Sequence, residues 1–238
     1  MVTWFGENRR RRDTPRRLPR AATPPSTRVE FGELTPETLP FLGQAAYIQL
    51  ELFENLARAM STAPTLAAKE SLSTVARTTL RKHAKLTAEI RALGAEPHEV
   101  MAPFAPAIDA FRAATTGADW YELMVTNLIT AGMLDDFFIS LAGSLPHDVG
   151  NRVGAILSRR PRTDVVTEEL TAAIAGDDVL ASRLAMWGRR LVGDTLLVAR
   201  SALRGANARG PVDDSIEPVF TELIAAHTRR MDGLGLTA

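Results

Sequence analysis

Cysteine is absent from this chain of 238 residues, and lysine is nearly absent. Without cysteine there is no disulfide, iron–sulfur cluster, thiolate zinc site or thiol nucleophile. Only Lys69, Lys82 and Lys85 accompany the 25 arginines. No apolar run approaches the roughly 18 residues of a membrane span, and no apolar secretion signal opens the chain. We therefore expect a soluble, cytoplasmic protein with no membrane partner.

Sequence motifs that would assign a reaction are missing as well. The chain has no phosphate-binding loop, no dinucleotide fingerprint, no His-Glu-x-x-His and no nucleophile elbow around a serine. It contains four histidines (His83, His98, His147 and His227) and no Glu-x-x-His sequence. The motifs therefore give no support to nucleotide-dependent enzymes, zinc proteases or serine hydrolases.

The zero net charge hides a strong asymmetry between the N-terminus and the rest of the chain. Residues 1–28 carry eight arginines against Glu7 and Asp13, a net charge of +6 that leaves 20 basic and 26 acidic residues elsewhere. Several prolines in the same stretch oppose a long helix. We predict a disordered Arg/Pro-rich arm at residues 1–34. Its arginines make RNA a possible partner, because clustered cations displace the counterions of phosphates; a solvated tail is the plainer interpretation.

The remaining sequence predicts helices. Aromatic residues make up only 6% of the chain and alanine is abundant, which favours helix over sheet. No segment alternates with period two, so no sheet is expected. Capping residues, glycines and prolines predict helices at about residues 36–62, 65–93, 120–142, 146–175 (kinked or split at Pro161), 177–205 and 216–231. The prediction is an all-α four-helix bundle at 35–208, with a link and a further C-terminal helix at 209–238.

Polar residues interrupt the apolar faces of these predicted helices. At 100° per residue, Gln49 and Thr79 fall within the apolar stripes of the first and second helices, and Asp135 falls within that of the third. Lys82 and His83 lie on opposite margins of the second stripe. Because inward polar groups are unfavourable without partners, this level of the bundle is the predicted site.

Several segments in the same order resemble the ferritin-like proteins similar to tRNA hydroxylase (MiaE-like). The segments are APTL at 63–66, MAPF at 101–104, WYE at 120–122, AGMLDDFF at 131–138, LAMWGRRLVG at 184–193 and HTRRM at 227–231. The resemblance implies a ferritin-like bundle and, for catalytic members, a diiron hydroxylase site. Such a site takes carboxylates from the first and third helices and a Glu-x-x-His from the second and fourth.

This chain departs from that ligand pattern at nearly every expected position. The eroded ligand positions are Gln49, the Thr79/Lys82 pair, Ala131 and the Arg159/Arg162 pair. The alternative ligands, if a metal were bound, are His83, Asp135 and Asp136. We therefore expect no cofactor, with a diiron centre as the alternative.

The loss of a metal would leave Asp135 in the bundle interior without a counter-charge. We predict that a cation replaces the charge of the metal in a buried ion pair with Asp135. Lys82 is the candidate on the second helix, and Arg162 is preferred over Arg159 and Arg160 on the fourth. Gln49 and Thr79 are expected to complete the hydrogen bonds.

Three functions remain open at this stage. The preferred one is a ferritin-like binding or assembly protein that has lost its diiron site and has no catalytic residues. The alternatives are a nonheme diiron hydroxylase with shifted ligands, acting on modified tRNA, and an RNA-binding accessory module using the arm. The apolar third helix and the apolar run at 191–198 also predict a homodimer, on the expectation that one bundle does not cover all of this apolar surface.

Overall fold

The computed structural model describes residues 34–204, 206–208 and 212–238, so the predicted arm lies outside the described residues except for Leu34. Its helices are α1 (Thr38–Ser61), α2 (Leu66–Ala92), α3 (Pro97–Met101), α4 (Ala105–Thr115), α5 (Trp120–Ala142), α6 (His147–Leu157), α7 (Asp164–Gly176), α8 (Asp178–Arg204) and α9 (Val212–Gly233), with a 3-10 turn at Ala102–Phe104. Two strands, β1 (Leu34–Pro36) and β2 (Ala206–Ala208), complete the elements. The predicted all-α architecture is confirmed.

Local capping sets the ends of the helices that carry the site. The Thr65 side chain accepts a hydrogen bond from the backbone N–H of Ala68 and begins α2. At α5, Asp119 accepts from the N–H of Glu122, whose carboxylate reaches back to the N–H of Ala118. Asp119 thus satisfies one of the donors that the first helical turn leaves free, and Glu122 fixes the residue that precedes the cap.

The fourth bundle helix is split rather than continuous. α6 ends at Leu157, and α7 begins only at Asp164, so residues 158–163 form a non-helical connection that contains Pro161. Proline has no amide N–H and clashes with the preceding turn, which explains the break. The arginines expected on this helix therefore lie in a connecting segment.

Helix α5 occupies the middle of the bundle. It contacts α1, α6, α7, α8 and α9. Phe138 of α5 packs edge-on against Phe41 of α1, with ring centroids 5.4 Å apart. Among the described helices, α5 alone is long and apolar enough to cross a membrane, and 67% of its most apolar stretch is buried inside the protein. That degree of burial is typical of a core helix.

A short antiparallel ladder departs from the expectation of no sheet. Leu34 pairs with Ala208 and Pro36 with Ala206, so β1 joins the start of α1 to the segment that follows α8. Three residues per strand are too few to show an alternating pattern in the sequence, which explains the missed prediction. The helix α1 starts later than the predicted residue 36, because Pro36 belongs to β1 and Glu37 is the N-cap.

Candidate functional site

A buried ion pair between α2 and α5 occupies the centre of the predicted site. The Nζ of Lys82 lies 2.6 Å from Oδ2 of Asp135, and the two side chains are only 3% and 7% exposed. Gln49 of α1 donates from Nε2 to the other carboxylate oxygen of Asp135 at 3.0 Å. Three helices therefore meet at one polar level within an apolar bundle. The structure brings together Gln49, Lys82 and Asp135.

The protonation of Asp135 reflects opposing effects. Burial raises the pKa of the Asp135 carboxyl above its ordinary value, while the Lys82 ammonium, Arg160 and the Gln49 amide oppose that rise. Lys82 is the largest of the opposing influences. An isolated carboxylate at this depth would be unstable, so Asp135 depends on Lys82 for its charged form.

A second layer of charge lies closer to solvent and centres on Asp136. Its two carboxylate oxygens accept separately from Arg160 of the α6–α7 connection and from Arg230 of α9. Arg160 also approaches Oδ2 of Asp135 at 3.5 Å, so it links the two layers. The adjacent aspartates thus have different surroundings, with Asp135 facing the interior and Asp136 holding two arginines at the rim.

The expectations for Arg162, Arg159 and Thr79 are not met. Arg162 is 90% exposed and pairs with Asp164 at 3.2 Å, while Arg159 is exposed in the same connection. Because α6 has already ended, the helical register no longer applies, and Arg160 is the arginine that turns inward. The Thr79 hydroxyl donates to the carbonyl of Val75 at 3.2 Å, a common arrangement for threonine within a helix.

The remaining predicted residues lie around the ion pair without joining it. The Nδ1 of His83 lies 2.9 Å from the carbonyl of Ala46 on α1. Since a carbonyl only accepts, Nδ1 carries the proton in this contact. Ala131 lines the space beside Asp135 and contributes no polar group. His83 therefore holds α2 against α1.

A cavity of about 350 Å³ extends from this polar level into the bundle. Gln49, Thr79, Lys82, Asp135 and Arg160 line its charged end. Its apolar walls come from α1, α2, α5 and α7: Leu52, Leu56, Leu72, Val75, Met124, Leu128 and Val166. Asn127 of α5 is a polar residue among them. A volume of this size lies within the range of small-molecule sites, and mostly apolar walls with a few converging polar groups are typical of them.

Arg230 is the site residue that sequence reasoning missed, because it reaches the site from the last helix. Its guanidinium lies directly over Gly132 of α5, where a Cβ atom would overlap with the arginine Nε and lie 2.8 Å from its Cζ. Glycine is unfavourable within a helix relative to alanine. Gly132 one turn before Asp136 is therefore the sequence signal that another group approaches α5 closely here.

The described helices form an all-α bundle with a polar level inside it, which is the architecture of a ferritin-like helical protein. Residues 37–209 match the family described as the ferritin-like domain of actinomycetes, and the chain belongs to this family. No curated protein gives a significant match to the chain. The family match establishes the fold and assigns no activity.

Proposed function

We propose that this protein is a ferritin-like bundle that has lost its diiron site and acts as a non-catalytic binding protein for a small molecule inside the bundle. The observation that carries the proposal is the Lys82 ammonium 2.6 Å from Asp135, buried at the polar level of the bundle. A fixed positive charge at this position repels a metal cation and already neutralises the only fully inward carboxylate among the residues that line the cavity.

The donor set around the ion pair supports the same conclusion. A diiron centre in this fold takes about four carboxylates and two imidazoles that converge on one level. Gln49, Thr79 and Ala131 stand at expected ligand positions and supply an amide, a hydroxyl and a methyl group. Within the described part of the chain, no three His, Asp or Glu side chains are arranged to hold a metal ion. These residues do not fit a diiron centre.

The cavity favours binding as the retained role. It lies beside the eroded ligand positions and keeps both a charged end and apolar walls. Ion-pair formation between Lys82 and Asp135 holds the helices together at this level without filling the cavity. A bundle maintained only for structural reasons would gain stability from filling such a space, since cavities are destabilising.

Metal analysis of protein from iron-replete cells tests the loss of the diiron site. We expect far less than one iron per chain, and the same low content in Asp135→Asn. About two irons per chain in the wild type, lost in Asp135→Asn, would favour the shifted-ligand hydroxylase and overturn the proposal. Anaerobic Co(II) titration followed by absorbance gives an independent measure, for which we expect no site-specific d–d bands.

A further inference from the structure

The residues that line the cavity span about three turns of α5, and the charged ones lie toward one end of that span. Asp135 and Met124, at its two ends on α5, are 11 residues apart, which corresponds to roughly 16 Å along the helix. Leu56 and Leu72 close the far end and are buried. Arg160 at the near end is 49% exposed, so this end faces solvent. A ligand in this cavity would place its polar group at the rim and its apolar part inside.

The volume limits the size of the ligand. A cavity of roughly 150 Å³ accommodates one benzene molecule. In proportion, the cavity of about 350 Å³ holds roughly 14 non-hydrogen atoms. Together with the span of the lining residues along α5, this size fits a medium-length aliphatic chain better than a nucleotide or a peptide.

The charges at the rim favour an anion with a single charge. Lys82, Arg160 and Arg230 supply three positive charges, against two negative charges on Asp135 and Asp136, which leaves one formal positive charge in excess. Lys82 is committed to Asp135 inside the bundle. Both arginines donate to the carboxylate of Asp136. Arg160 also reaches Asp135, and Arg230 also donates to the carbonyl of Ala226. A guanidinium has five N–H donors, so each arginine keeps N–H groups for a ligand.

Gly132 holds one of these arginines in place. Because residue 132 has no side chain, the Arg230 guanidinium lies close against α5 beside the rim of the cavity. Both Gly132 and Arg230 line the cavity. The guanidinium is thus positioned by the backbone of one helix and by Asp136, which limits the conformational entropy lost when it binds an anion.

We propose that the cavity binds a medium-chain aliphatic carboxylate, with its carboxylate at Arg160 and Arg230 and its chain along the apolar walls. This inference rests on the proposed binding function and names the ligand class. A carboxylate balances the single excess positive charge, whereas a phosphate monoester carries nearly two negative charges and would leave the rim negative. Guanidinium groups also bind carboxylates with matched, charge-assisted hydrogen bonds.

Calorimetric titration of the full chain with decanoate tests this assignment, with decan-1-ol, decyl phosphate and decyltrimethylammonium as comparison ligands. We expect decanoate to bind best. Arg160→Gln and Arg230→Gln should each weaken decanoate binding about tenfold or more, and should leave decan-1-ol unaffected. Arg162→Gln is the matched control, because Arg162 belongs to the same connection and does not line the cavity. Ala131→Phe should abolish binding by filling the cavity.

Several results would overturn the assignment. These are equal binding of decanoate and decan-1-ol, tighter binding of decyl phosphate or decyltrimethylammonium, an unchanged affinity in both arginine variants, or unchanged binding in Ala131→Phe. Iron content measured on the same preparation separates failure of the ligand assignment from failure of the proposed function. Metal-free protein without decanoate binding contradicts the ligand assignment alone, whereas diiron occupancy contradicts the loss of the metal site. Circular dichroism checks that each variant is folded.

Discussion

Replacing Lys82 with methionine tests how strongly the fold depends on the buried ion pair. Methionine preserves most of the length and apolar volume of the lysine stem and removes only the charge. Asp135, 7% exposed, would keep the Gln49 hydrogen bond at 3.0 Å and the distant Arg160 at 3.5 Å. Removing one partner of a buried pair costs about 3–5 kcal/mol. For a protein of this size, that loss corresponds to a decrease in melting temperature of about 6–20 °C.

Urea denaturation followed by circular dichroism measures this loss. Arg162→Met is a matched control, because the Arg162–Asp164 pair is 90% and 62% exposed and should contribute less than about 1 kcal/mol. In Lys82→Met/Asp135→Leu neither partner of the buried ion pair carries a charge, so we expect this double variant to regain most of the lost stability. The double variant also keeps the test decisive if Lys82→Met fails to fold.

The pH dependence of the stability lost in Lys82→Met gives a second readout. The folded-state pKa of Asp135 is already raised by burial, and removing the Lys82 ammonium raises it further. A carboxyl group with a raised folded pKa destabilises the protein as pH rises through that value, and this penalty disappears at lower pH. The difference in unfolding free energy between Lys82→Met and the wild type should therefore shrink on acidification. A loss below about 1 kcal/mol at neutral pH, or a double variant no more stable than the single one, would refute the reasoning.

Three further outcomes are expected from other parts of the chain. Burial, with Arg230 nearby, lowers the pKa of His227, so the unfolding free energy should fall as pH drops from about 7.5 to about 5.5. An equally steep fall of the unfolding free energy with pH in His227→Gln would contradict this. The RNA-binding alternative requires that the full chain bind RNA with an affinity that falls between about 50 mM and about 200 mM salt, and that deleting residues 1–28 abolish this binding. Unchanged binding after the deletion would exclude the arm. Met186 and Leu197 of α8 are 62% and 66% exposed. Light scattering should therefore show a dimer for the wild type and a monomer for Met186→Lys/Leu197→Lys. A wild-type monomer at micromolar concentration would count against the dimer.

Much of the apolar run that suggested dimerisation is used inside the protein. Leu191 and Val198 are buried in the bundle core, and Leu197 is exposed. A helix with apolar residues on several faces has the same sequence pattern whether it packs against its own bundle or against another chain. Only the packing of α8 against α5 shows which side chains remain available for a partner.

Local sequence determined most of the helices and the inward direction of the key polar residues. The bounds predicted for the third bundle helix, 120–142, are those of α5, because Asp119 caps one end through its own side chain. Helical periodicity alone placed Asp135 within an apolar stripe and Lys82 at the margin of another. Both results depend on interactions within a few residues, and such interactions can be inferred without knowing the rest of the fold.

Tertiary structure decided which groups meet the two aspartates. Arg160 rather than Arg162 reaches Asp135, because the chain leaves the helix before Pro161 and periodicity no longer predicts where side chains point. Arg230 reaches Asp136 from 94 residues away and needs the open backbone of Gly132 to do so. Contacts between residues so distant in sequence arise from helix packing, which has no signature in any single segment. The sequence alone therefore determined the helices and the buried charge, and the packing of the bundle determined the charged rim of the cavity.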